Sequence, residues 1–351
     1  LAAGENMDFE SLSDREKQIL KILIDHYIGT AEPVGSQTLS KNYNLGLSPA
    51  SIRNILKDLE DKGLLTHPHT SAGRMPTNQG YRNYVDYLLT PENLSETEQG
   101  IISGKLKGEY SAIDVILDQT SRILSSLSNQ LGLTLAPKFE SAILTRLELI
   151  PVAEKKLLVV LVVKSGLVRS IILEVDLNLP DMAINETVQV LNERLCGLSL
   201  GEIRATIDQR IKDTHYGDPR LIRLFVEGAN EIWDMPSLEE LHYAGASNLF
   251  SQPEFQNPKD AAEMAALIED KTLIKEMLDH TGITEGITIT IGQSKIAGKG
   301  EQLSLLTSGY TMGGVKGVIG VIGPTRMNYS KLVSLVDYTA KMLSNILSDK
   351  T

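Results

Sequence analysis

A single cysteine, Cys196, stands in 351 residues. It excludes an internal disulfide framework and fits a reducing compartment, so a cytoplasmic protein is expected. Its position after an apolar helical run reads as an inert buried thiol. Histidine is scarce as well, at six, which leaves little from which to build a transition-metal centre. No apolar run approaches the roughly 20 residues that span a bilayer, and 157–163 is far too short, so no membrane partner is expected. The N-terminal residues lack the charged and apolar regions of a secretory leader. The glycine-rich segment 309–323 contains no G-x-x-x-x-G-K-[ST] and alternates like a hairpin strand, which argues against a phosphate loop. No Ser/His/Asp or Cys/His arrangement assembles, and no cofactor is indicated. The chain is not expected to be an enzyme.

What is present begins with length. At 351 residues the chain is too long for one ordinary core, and two or three domains are expected. Apolar content of 42% and charged content of 23% are globular values. The net charge of −11 argues against nucleic acid only until it is divided along the chain. Residues 12–90 hold nine Lys/Arg and eight Asp/Glu, a balance of +1, so the rest carries −12. An acidic body suppresses non-specific sticking to DNA. Specific binding then needs a well-aimed local basic face.

Residues 48–76 supply such a face. Ser48 is an N-cap, Pro49 takes the first helical position, and Ile52, Ile55, Leu56 and Leu59 form one apolar stripe. The opposite face carries Ser51, Arg53, Asn54 and Lys57. Gly63 ends the helix, a strand at 64–66 follows, 67–73 reads as a hairpin tip, and Arg74-Met75 returns. Upstream, Ser13 with Glu16 forms a capping box for a helix ending near Gly29, and a short helix runs over 36–41. This order of three helices and a hairpin predicts a winged helix-turn-helix. Arg53 suits bidentate contact with guanine and Asn54 with adenine, while Ser48, Ser51 and Lys57 suit phosphates. His67, His69, Thr70, Ser71 and Arg74 form a wing able to lie along the minor groove. A three-helix module used for protein contacts, with a solvated polar face, is the competing reading. His67-x-His69 without a nearby carboxylate or thiol at ligand spacing reads as solvated wing, not metal site.

Thr77 caps a further helix through 89, and 90–108, with Pro91 and its glycines, reads as a linker. A helix is predicted over 110–132. The period then switches to strands at 143–150, 156–164 and 167–175, followed by helices at 184–195, 199–212 and 219–233. Beyond Pro236 come a strand at 241–249, a helix at 261–279, strands at 286–292, 303–311 and 315–322, and a C-terminal helix over 329–347. The class is α+β, multidomain, with mainly antiparallel strands.

The phrases SPASIRNILKDLEDKGLLTHPHTSAGRMPTNQGYRNYVD from Ser48, GASNLFSQPEF at 245–255 and LTSGYTMGGVKGVIGVIGPTRMNYSK at 306–331 carry a specific likeness. In this order and separation they resemble HrcA, the bacterial heat-inducible transcription repressor family, from Ser11 to the end. The resemblance implies a winged-helix head (11–90) and a linker and long helix (91–140) leading into a GAF-like domain. It also implies a dimerising α+β domain inserted near 141–235, with the rest of the GAF-like domain over 236–351. The hairpin at 156–175 fits either the insert or the GAF-like sheet. The implied partners are a second copy of the chain, an inverted-repeat operator of the CIRCE type in double-stranded DNA, and the chaperonin GroEL, which keeps such repressors active. A winged-helix regulator sensing a small molecule in its GAF-like domain is the alternative.

Overall fold

The computed structural model describes residues 9–69, 73–107, 112–137, 139–164, 166, 168–175, 179–212, 216–228, 232–233, 241–280, 286–292 and 302–349. It is a mixed α+β protein whose paired strands are all antiparallel.

The N-terminal unit opens with α1 (Asp14–Thr30), closed at its start by the reciprocal Ser13–Glu16 capping box. It ends where Ala31 turns left-handed, at φ 57°. Helices α2 (Ser36–Asn42) and α3 (Pro49–Asp61) follow, then the short strands β1 (Leu65–Thr66) and β2 (Met75–Pro76). Val34 and Arg74 bridge antiparallel and tie the α1–α2 connection to the residue before β2. Ile19, Leu20, Leu23, Ile24, Leu39, Ile52 and Leu59 are almost fully buried and hold the three helices together. The apolar stripe read from the sequence is therefore the core of this unit. Helix α4 (Asn78–Asn83) continues as a π-helical turn over Tyr84–Leu88.

The expected linker at 90–108 is instead largely helical: α5 spans Glu96–Leu106. Ser95 and Glu98 close its start with a second capping box, and Ile102 and Leu106 are buried. Two glycines masked a helix whose S-x-x-E start signal was present. Glu98 also meets Lys331 at 2.7 Å. The hydrogen bonds from Lys331 and Ser95 lower its carboxyl to about 2. A carboxyl depressed in the folded state stabilises above its ordinary value near pH 4.3 and loses that contribution as pH falls toward 2. Acid titration of folding, followed by circular dichroism, is expected to fall less steeply for Glu98→Gln than for the parent chain across this window. Equal slopes would refute the linkage.

Helix α6 (Ile113–Ser128) stops at Asn129, which is left-handed at φ 55°. Residues 131–132, expected to end the helix, instead open strand β3 (Leu131–Leu135). The apolar LGLTL run is buried on both faces and takes the extended form. Next come β4 (Leu144–Ala153), β5 (Lys156–Val163) and β6 (Val168–Glu174), which form a separate three-stranded sheet in that order. Helices α7 (Asp181–Leu195), α8 (Leu200–Ile211) and α9 (Pro219–Glu227) follow it.

The chain returns with β7 (Leu241–Ala244), shorter than expected because Gly245, at φ 86°, turns it into α10 (Ala246–Phe250). The single helix expected near 261–279 is two, α11 (Pro258–Glu269) and α12 (Lys271–His280). Asp270 interrupts them, and its carboxylate accepts from Leu273 N at 3.0 Å. Strands β8 (Ile287–Ile291), β9 (Leu303–Met312) and β10 (Val315–Pro324) complete a five-stranded sheet of order β7-β3-β10-β9-β8. Gly313 and Gly314, both at positive φ, make the two-residue β9–β10 turn. The C-terminal α13 (Tyr329–Asp349) and α6 pack on one face of this sheet, and α10–α12 cover the other. Burial on both faces explains why β10 reads as a nearly continuous apolar run.

Candidate nucleic-acid interface

Helix α3 is positioned from both ends. Ser48 Oγ accepts from Ser51 N at 3.1 Å, and the two hydroxyls lie 3.0 Å apart. At the other end Lys62 reaches Glu16 of α1 at 2.5 Å. Between them Ile52, Leu56 and Leu59 face the core, while Ser51, Arg53, Asn54 and Lys57 are exposed. Among the described residues Arg53, Asn54 and Lys57 have no side-chain partner. Arg53 and Asn54 thus lie in the N-terminal half of the helix, toward its positive dipole end, and Lys57 one turn further along. The acidic residues Asp58, Glu60 and Asp61 sit at the opposite end.

The hairpin is fastened to α3 by one carboxylate. Glu60 Oε2 lies 2.7 Å from Arg74 Nη2, and its other oxygen bonds His67 Nδ1. The Arg74 backbone exchanges two hydrogen bonds with Val34, at 2.8 and 2.9 Å. Arg74 therefore sits at the root of the hairpin, held by Glu60, and not at its tip. His67 and His69 are exposed on the ascending side. Thr70 and Ser71, also expected at the wing, lie outside the described residues. Glu60 carries no signal of this clasp in the sequence, where it reads as one more solvated acid. Its role follows from the angle at which the hairpin folds back over the end of α3. Among the described residues no group of three or more His, Cys, Asp or Glu could hold a metal ion.

The helical unit is docked on the body. Arg326 donates to the Ile28 carbonyl at 2.7 Å, to Glu254 at 2.7 and 3.3 Å, and to Gln252 Oε1 at 3.0 Å. Arg82 donates to the Ile289 carbonyl at 3.0 Å. The buried rings of Tyr81 and Tyr329 are 6.1 Å apart. Ser330 bonds the Thr90 carbonyl and accepts from Glu92 N. Sequence reasoning found none of these contacts.

Known proteins show clear likenesses to this chain. The profile described as the HrcA protein C terminal domain matches residues 114–333. The heat-inducible transcription repressor HrcA of Chlorobium phaeobacteroides (strain BS1) is 38% identical, covering 97% of this chain and 100% of that protein. That of Chlorobium chlorochromatii (strain CaD3) is 38% identical over 97% of this chain and 99% of its own. A solved structure described as a hypothetical protein shares the fold at a TM-score of 0.58, with 23% identity over 97% of this chain and all of that one. These matches put the chain in the class of transcription repressors. It belongs to the HrcA family of heat-inducible transcription repressors. No helix among the described residues is long and apolar enough to cross a membrane.

Proposed function

We propose that the N-terminal unit is a winged helix-turn-helix and that the protein, as a dimer, represses chaperone operons by binding a CIRCE-type inverted repeat. The observation that carries this reading is the exposed trio Arg53, Asn54 and Lys57 on one capped helix, without a side-chain partner among the described residues. Arg53 and Asn54 contact base edges, while Ser48, Ser51 and Lys57 take phosphates. His67, His69, Thr70 and Ser71 follow the adjacent groove, and Arg74, through Glu60, sets the angle of the wing. The body is GAF-like. The insert spans about 141–235, which accords with the separate β4–β6 sheet between β3 and β7.

A two-fold operator asks for a two-fold protein. We assign the second copy to the outer face of the β4–β6 sheet. Ile150, Leu158 and Ile172 line up across the three strands in register, as do Arg146, Val162 and Val168. Val168 and Ile172 are each 59% exposed on the open edge strand β6. The Arg146–Glu148 pair, 2.5 Å apart on that face, is self-complementary across a two-fold axis. Ile172→Glu is expected to yield monomers in sedimentation and to weaken inverted-repeat binding on the order of 100-fold, because the second head no longer binds intramolecularly. A dimer of unchanged stability would remove this face from the proposal.

Activity further depends on folding and on chaperonin. A repressor near its stability threshold loses much of its active fraction when about 1–2 kcal/mol is lost. The decisive experiment is a titration of an inverted-repeat operator at fixed salt, with and without chaperonin GroEL. Saturable binding that exceeds binding to scrambled DNA supports the reading, and no binding under either condition overturns it.

A further inference from the structure

The phrases at 245–255 and 306–331 lie far from α3, yet they meet at one place. Gln252 and Glu254 from the first and Arg326 from the second form a fork under the C-terminal end of α1. Ile28 is in the last turn of that helix, where carbonyls lack intrahelical partners and the dipole is negative. A guanidinium answers both needs. Its planar fork also fixes direction, since one edge points at the helix and the other is held by the body. The Arg326 side chain is only 12% exposed and Glu254 23%.

The rest of the seam does not lock the head equally well. A cavity of about 400 Å³ opens between the two units, lined by Lys21, Asp25, Tyr84, Glu92 and Ser330 among others. The apolar contact between the units is at Tyr81 and Tyr329, beside α4, so the angle of α1 itself is set largely by directional bonds. The other polar ties, at Arg82 and Ser330, act on α4 and on the connector after it. Arg326 grips α1, the helix against which α3 packs through Ile19, Leu20, Ile52 and Leu59.

We propose that Arg326 is a positioning residue for operator recognition: clamped by Glu254 and Gln252, it fixes the angle of the DNA-binding head on the body, and hence the separation of the two recognition helices in a dimer. It touches no DNA itself. The inference rests on the DNA-binding reading above, but its geometric half can be measured without DNA.

A rigid pair of heads tolerates only one half-site separation, whereas a pair on loose joints tolerates many. The test compares full-length protein and Arg326→Ala on inverted repeats whose spacer is changed by half a helical turn, about 5 base pairs. The parent chain is expected to lose about tenfold or more in affinity on the altered spacer, and Arg326→Ala less than about threefold, with single half-site binding unchanged. Arg326→Lys, which keeps the charge and loses the fork, should resemble the alanine variant. In parallel, energy-transfer labels at Lys41→Cys and Lys316→Cys, in a Cys196→Ser background, report the head-to-body distance in free protein. That distribution should broaden with Arg326→Ala. Should Arg326→Ala not fold, Glu254→Gln and Gln252→Ala carry the same two measurements. An unchanged distance distribution together with full spacer discrimination in a folded variant overturns the proposal. Broadening in a chain that binds no inverted repeat keeps the joint and rejects the operator reading.

Discussion

Gly132→Val is expected to destabilise the body by about 3 kcal/mol or more, the upper end of what overpacking costs. Gly132 is the second residue of β3, paired with Val321 on one side and Ala244 on the other. On its third side is the backbone of α6. A Cβ at this position would sit 2.2 Å from the Ser121 carbonyl oxygen and 2.7 Å from Ser125 N. Neither is the free end of a side chain that could swing away. The helix would have to lift off the sheet, and its buried Ile116, Leu117, Ile123 and Leu124 would lose contacts. Gly100→Ala is the control, since a Cβ there on α5 meets nothing within 4 Å. It is expected to raise stability by about 0.5–1 kcal/mol through helix propensity and a less flexible unfolded chain. Urea unfolding followed at several wavelengths checks both. A Gly132 variant with an unchanged midpoint would mean that α6 does not pack on β3 as described.

Arg53→Ala is expected to weaken operator binding by about 1–3 kcal/mol, roughly 5- to 150-fold, and to relax preference at one base pair of each half-site. Arg53 lies one turn into α3, exposed and, among the described residues, without a polar partner, so truncation removes no hydrogen bond or ion pair there. Its stability should stay within about 0.5 kcal/mol of the parent. Lys57→Ala is the contrast. It should weaken all sequences about equally and reduce the slope of log affinity against log salt by about one. Fluorescence anisotropy at several salt concentrations, with single-base operator variants, separates the two. Unchanged affinity and unchanged base preference for Arg53→Ala would move base readout to other residues.

The comparison of expectation with structure divides by range. Helix starts were legible wherever a cap lay next to its stripe, as at Ser13, Ser48 and Thr77. The same signal at Ser95 was outweighed by Gly100 and Gly104, which normally argue against a helix. Burial of Ile102 and Leu106 and the tie to Lys331 offset that propensity. The start of strand β3 reads as the end of the preceding helix, and its remainder carries no strand signal, because a short apolar run fits either period and only its neighbours β7 and β10 decide. Of the candidate site, the face of α3 was legible because helical periodicity alone separates Ile52, Leu56 and Leu59 from Arg53, Asn54 and Lys57. The clasp of Glu60 on His67 and Arg74 was not, since it depends on a hairpin turning back across the helix end.

Caps, periods, the acidic body beside a near-neutral head, and the family are all written in the chain. These are properties of neighbours a few residues apart, or of phrases matched whole. The tertiary structure alone decided what crosses the chain. It separated the β4–β6 sheet from the five-stranded one and closed β3 against β7 across more than a hundred residues. It also set Arg326 under Ile28, 298 positions away. Such contacts leave no local signature, because the guanidinium and the carbonyl it satisfies are brought together only when both units have folded.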